Sequence, residues 1–153
     1  MRNRTIEATD KQTVLVVEDN ILNRKLFKAI LEAGGYAVLE ASDGMNGLTL
    51  ARREHPDTIV MDIQLPGMSG LEVISILKAY PDTACIPILA TTGFALPGDE
   101  ARIMATGCED YIAKPIGITD FAARVRSLVY GITPSLMGFS ERDQRARLTA
   151  DDR

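Results

Sequence analysis

Five short apolar runs, each followed by a segment of helical periodicity, constrain this chain more than any other feature. The runs are Thr13–Val17, Ala37–Ala41, Thr58–Asp62, Ile86–Thr91 and Asp110–Ala113. The helical segments run from Asn20 to Ala33, from a Ser42-Asp43 cap to Glu54, from Gly70 to Ala79, from Asp99 to Gly107 and from Thr119 to Tyr130. In the first, Leu22, Leu26, Ala29, Ile30 and Ala33 share one face, and Gly34-Gly35 ends it. Leu48 and Ala51 point inward from the second, and Val73, Ile74 and Leu77 from the third. Strands alternating with helices imply a parallel α/β sheet covered on both faces, because parallel neighbours need crossover connections. With right-handed crossovers the expected form is a doubly wound sheet of five strands and five helices.

In such a sheet, ligands sit beyond the carboxyl ends of the strands. Glu18 and Asp19 follow the first run, Asp62 closes the third, Thr92 follows the fourth and Lys114 the fifth. Every reactive candidate therefore falls on one edge. Carboxylates crowded there repel each other by about 4 kcal/mol per pair at ~4 Å and an effective dielectric of 20. They must take up a proton or bind a cation, and hard oxygen ligands suit Mg²⁺. Asp19, Asp62 and the backbone carbonyl of Gln64 are the expected metal ligands, with Glu18 acting directly or through water. Asp62 is the expected nucleophile toward phosphorus, Lys114 a compact positive charge for a phosphoryl oxygen, and Thr92 a hydroxyl donor. Taken singly, each has a plain structural reading: Glu18-Asp19-Asn20 could merely cap the following helix, and Lys-Pro pairs are common. Their joint placement on one edge favours chemistry.

Composition narrows the partners. Apolar residues make up 46% of 153, enough for a real core in one domain. The formal charge of −4 disfavours non-specific nucleic-acid or membrane binding. No run reaches the 18 or so apolar residues of a membrane span, and Met1 to Lys11 lack a secretory h-region, which points to the cytoplasm. Cys85 and Cys108 are far apart and read as reduced packing residues. His55, the single histidine, reads as a solvated loop residue. Residues 1–11 read as a flexible segment and 12–130 as the domain. Residues 131–153 read as a flexible tail, since Ser140–Arg153 holds four acidic and four basic residues and almost nothing apolar.

The motifs together resemble a known family. Val-Leu-Val-Val-Glu-Asp-Asn (14–20), Met-Asp-Ile-Gln-Leu-Pro (61–66) with Ser69-Gly70, Thr-Thr-Gly (91–93) and Tyr-Ile-Ala-Lys-Pro (111–115) resemble the receiver domain of two-component response regulators. Glu18 to Phe27 and Gly98 to Tyr111 are similar to single-domain regulators of the DivK type, which act in bacterial cell-cycle phosphorelays. The resemblance implies a flavodoxin-like sheet of order 2-1-3-4-5. It implies a phosphoryl group passed to Asp62, with Mg²⁺, from a phosphohistidine on a histidine kinase or histidine phosphotransferase domain. It implies that Thr92 moves to that group and that Tyr111 turns inward as an aromatic switch, changing the surface offered to a downstream protein. Tyr111 could equally be a half-buried core tyrosine. The resemblance also implies a cis Lys114–Pro115 bond.

Some positions vary from the family pattern. Gly93 stands where alanine is frequent, and the smaller bulk is expected to open the site to water. Gln64 and Phe94 occupy positions that tune loss of the phosphoryl group, Phe94 being expected to shield it. Three rival readings are a phosphate-independent degenerate receiver, an aspartyl-nucleophile phosphatase and a flavin-binding module. The first conflicts with five filled key positions. The second needs an Asp two residues beyond the nucleophile as general acid, where this chain has Gln64. A flavin module would need a hydroxyl- or glycine-rich phosphate loop where Glu18-Asp19-Asn20 stands. The sequence thus reads as a non-enzymatic receiver, limited to accepting its own phosphoryl group and slowly losing it.

Overall fold

The structure is a computed structural model, and it describes residues 11–93 and 96–131. Phe94, most of the N-terminal segment and nearly all of the expected tail lie outside the described residues. Five strands and five helices alternate: β1 (Thr13–Val17), α1 (Ile21–Ala33), β2 (Ala37–Ala41), α2 (Gly44–Glu54), β3 (Thr58–Asp62), α3 (Gly70–Ala79), β4 (Ile88–Thr92), α4 (Asp99–Ala105), β5 (Asp110–Ala113) and α5 (Ile118–Tyr130). The sheet is wholly parallel in the order β2-β1-β3-β4-β5. The order reverses at β1, so β1 and β3 flank the switch point at which this topology opens a crevice.

The continuous apolar runs are explained by two cores, one on each face. Side chains alternate along a strand, so Leu15, Val17, Ile59, Met61, Ile88 and Ala90 pack under α2 and α3. Val14, Val16, Val60 and Leu89 pack under α1 and α5. Strand residues buried on both faces must all be apolar, which is why no polar alternation is visible in β1 or β4. Each fully buried Val or Leu contributes about 1.5–3 kcal/mol of transfer free energy.

Three boundaries or faces differ from the sequence expectation. The face of α1 that turns inward carries Phe27 and Leu31, whereas Leu22 is 73% and Leu26 44% exposed. Phe27 stacks on Phe121 of α5, ring centroids 4.9 Å apart, and this aromatic contact fixes the roll of the helix. β4 starts at Ile88 rather than Ile86, because Ile86 spends its N–H on Thr83 in a turn (3.1 Å) and Pro87 has none to give. It extends through Thr92, whose carbonyl takes the N–H of Lys114 at 2.7 Å. α4 ends at Ala105, two residues early, ahead of Gly107 at φ +94°. The inward residues of α2 and α3 are as expected.

Candidate metal centre at the carboxyl edge of the sheet

The strand ends deliver Glu18, Asp19, Asp62, Thr92 and Lys114 to one rim. Glu18 is buried although polar (1% exposed), so its surroundings must hold it. Its N–H donates to Ala41 O (3.1 Å), and its carbonyl accepts from Arg24 Nη1 (2.8 Å). Its carboxylate accepts from the Asn20 N–H (3.3 Å) and from Lys114 Nζ (3.1 Å). Asn20 in turn caps α1 by accepting the Asn23 N–H, which sets where the β1–α1 loop turns.

Asp62 is held as tightly. Its Oδ1 accepts the Gln64 N–H at 3.0 Å, and Oδ2 lies 3.5 Å from Lys114 Nζ. Ser69 caps α3 through the Glu72 N–H, and the helix starts so close behind Asp62 that Gly70 is obligatory. A Cβ on Gly70 would lie 2.0 Å from the Asp62 carbonyl oxygen. Oxygens of Glu18, Asp19 and Asp62 lie within 4.8 Å of one another, and only Asp19 is exposed. Two of the three carboxylates, Glu18 and Asp62, share the ammonium of Lys114. Burial, reinforced by Glu18, pushes the Asp62 carboxyl up from 3.8 to about 6, against the Gln64 N–H and Lys114, which act the other way.

This donor set fits Mg²⁺. Octahedral ligands at 2.0–2.1 Å stand about 3 Å apart when adjacent and about 4 Å when opposite, so a small side-chain shift closes the cluster on the ion. All donors are hard oxygens, and exposed Asp19 leaves the site open to solvent.

The other sequence candidates fall as follows. Thr92 is buried at the end of β4, beside the site. Gln64 joins the site through its backbone, and its side-chain Oε1 accepts the Gly93 N–H at 3.1 Å. The gap expected at Gly93 is therefore filled by the Gln64 carboxamide. Tyr111 is half-buried on β5; its N–H donates to Asp110 Oδ1 (2.8 Å) and its carbonyl accepts from Arg124 Nη1 (3.2 Å). Burial and the neighbouring Glu100 carboxylate raise its hydroxyl pKa. The Lys114–Pro115 bond is cis. His55 is an exposed, left-handed cap of α2, and Cys85 and Cys108 are free thiols. Among the described residues no helix is long and apolar enough to cross a membrane.

Sequence reasoning overlooked Arg24. It grips the carbonyl between the two acids and pairs with Glu40 of β2 (3.5 Å), which also pairs with Lys28 (3.4 Å). The signal was the first cation after the acidic pair, five residues beyond Asp19.

The profile of the response regulator receiver domain matches residues 14–126. Polar-differentiation response regulator DivK of Brucella ovis is 49% identical over 116 residues, covering 76% of this chain and 94% of that protein; DivK of Brucella anthropi is 48% identical over the same length. The receiver domain of a sensor histidine kinase from Pseudomonas aeruginosa PAO1, solved with a magnesium ion coordinated in its active site cleft, is 32% identical with a TM-score of 0.73, covering 78% of this chain and 98% of that one. The chemotaxis protein CheY4 of Vibrio cholerae is 26% identical, also with a TM-score of 0.73, covering 78% and 99%. Sheet order, acidic rim and these likenesses lead to the same place: the chain belongs to the response regulator receiver domain family and is DivK-like.

Proposed function

We propose that this protein is a phosphorelay receiver that takes a phosphoryl group from a phosphohistidine onto Asp62 and signals through its altered protein-binding surface. The observation that carries the reading is the convergence of Glu18, Asp19 and Asp62 within 4.8 Å, with Lys114 against two of them. Bound Mg²⁺, held by Asp19, Asp62 and the Gln64 carbonyl with Glu18 behind, would offset the charge of the incoming phosphoryl group. An Asp62 carboxylate oxygen attacks phosphorus as the P–N bond of the ring-protonated phosphohistidine breaks, and the bonding pair leaves on nitrogen as neutral imidazole. Lys114 Nζ neutralises a phosphoryl oxygen and the Thr92 hydroxyl donates to another. Lys114, paired here with Glu18 and Asp62, would be released for this role once those carboxylates hold the cation.

The donor is the phosphohistidine helix of a histidine kinase or histidine phosphotransferase domain. Exposed Ile21, Leu22 and Leu26 begin two residues after Asp19, and they are the apolar surface against which such a helix docks. Thr92 and Tyr111 relay the charge change to the α4–β5 surface, which binds a downstream protein in the cytoplasm rather than nucleic acid or membrane. Incubation with acetyl phosphate and Mg²⁺ tests the core of this: the intact chain gains the mass of one phosphoryl group, and Asp62→Asn gains none. Equal uptake by Asp62→Asn would refute it.

A further inference from the structure

Gly93 lacks a side chain at a position whose backbone does not require glycine. Its φ lies outside the left-handed range, so an L-residue suits the chain there. What excludes a Cβ is Gln64: the added atom would sit 2.9 Å from its Oε1 and 3.7 Å from its Cδ. That same Oε1 accepts the Gly93 N–H at 3.1 Å, while the Gln64 backbone N–H donates to Asp62 Oδ1 at 3.0 Å. One residue thus touches the acceptor carboxylate with its main chain and the loop after Thr92 with its side chain.

We propose that the Gln64 carboxamide is a latch joining the loop after Asp62 to the loop after Thr92 in the resting protein, with glycine at 93 making its room. Thr92 and Gly93 are consecutive, so Thr92 cannot travel toward a group on Asp62 until the Gly93 N–H leaves Oε1. The latch therefore biases the molecule toward its resting arrangement by the worth of one neutral hydrogen bond, about fivefold in the equilibrium. Gln64 acts here as a positioning residue. Its Thr92 consequence rests on the receiver reading above; the latch itself does not.

Gln64→Met keeps the length and removes the acceptor. In metal-free protein it is expected to speed Gly93 amide exchange at least threefold. With Mg²⁺ it is expected to lower about fivefold the concentration of beryllofluoride, a phosphoryl mimic, that half-saturates the site. Gly93→Ala displaces the flexible carboxamide, so it should lower that concentration similarly, and the double variant should add nothing to either alone. Unchanged Gly93 exchange in Gln64→Met, additive effects, or an unmoved or higher beryllofluoride midpoint would each overturn the latch. A wild type that binds no beryllofluoride and takes no phosphate would instead sink the receiver reading, with the exchange measurement still deciding the latch.

Discussion

The two ends of the sheet use the same residue types and reach opposite results. At the amino end of β4 and β5, Lys78 Nζ donates to the carbonyls of Ala84 (3.0 Å) and Ile86 (2.8 Å) and pairs with Glu109. The other Glu109 oxygen takes the Ile88 N–H, and Asp57 likewise accepts the Thr13 N–H at 2.7 Å. Each of these three charges has a partner, so the arrangement ties α3 to the start of β4 and β5. At the carboxyl end three acids cluster, and one lysine pairs with only two of them. Balanced burial of charge gives a fastening. Unbalanced burial gives a site that only a cation or a proton completes.

The sharpest way to break this comparison is pH. Folded Asp62 holds its proton up to about 6, against 3.8 as the ordinary value, so the folded chain binds more protons between those limits. Stability of the metal-free protein is therefore greatest below pH 4 as far as this group is concerned, and falls by about 3 kcal/mol as pH rises through 6. Urea unfolding at pH 4 and pH 7.5 measures it, and saturating Mg²⁺ or Asp62→Asn should flatten the difference. A difference equally steep in Asp62→Asn would show that the strain lies elsewhere. At the opposite end, Lys78→Met orphans two carbonyls and Glu109, and should lower stability by about 2–3 kcal/mol without weakening Mg²⁺ binding. Asp19→Ala does the reverse: calorimetric Mg²⁺ affinity should drop about tenfold with little change in stability, because Asp19 is exposed. The smallest effect belongs to Thr91, whose buried hydroxyl has no hydrogen-bond partner among the described residues. Thr91→Val should raise thermal stability by about 1 kcal/mol.

These contrasts also explain what could be read from the sequence. A parallel sheet aligns the carboxyl ends of all its strands, so Glu18, Asp19, Asp62, Thr92 and Lys114 were legible once the five runs were located. The roll of α1 was not. Its sequence holds two apolar series at helical spacing, Leu22-Leu26-Ala29-Ala33 and Phe27-Leu31, and periodicity cannot tell which one faces in. The choice is made by Phe121, nearly a hundred residues away. Gln64 with Gly93, and Arg24 with the Glu18 carbonyl and Glu40, are likewise pairings between segments that only the assembled sheet brings together.

Gly70 has a mechanical corollary. With no gap between the start of α3 and the Asp62 carbonyl, helix and strand end form one stiff wall of the cleft. An added charge on Asp62 cannot push that wall outward without moving a whole helix. The facing side has more give, for there the Gln64 carboxamide meets Gly93, a residue with no side chain. The direction in which this molecule yields is written into where it has room for a methyl group and where it has none.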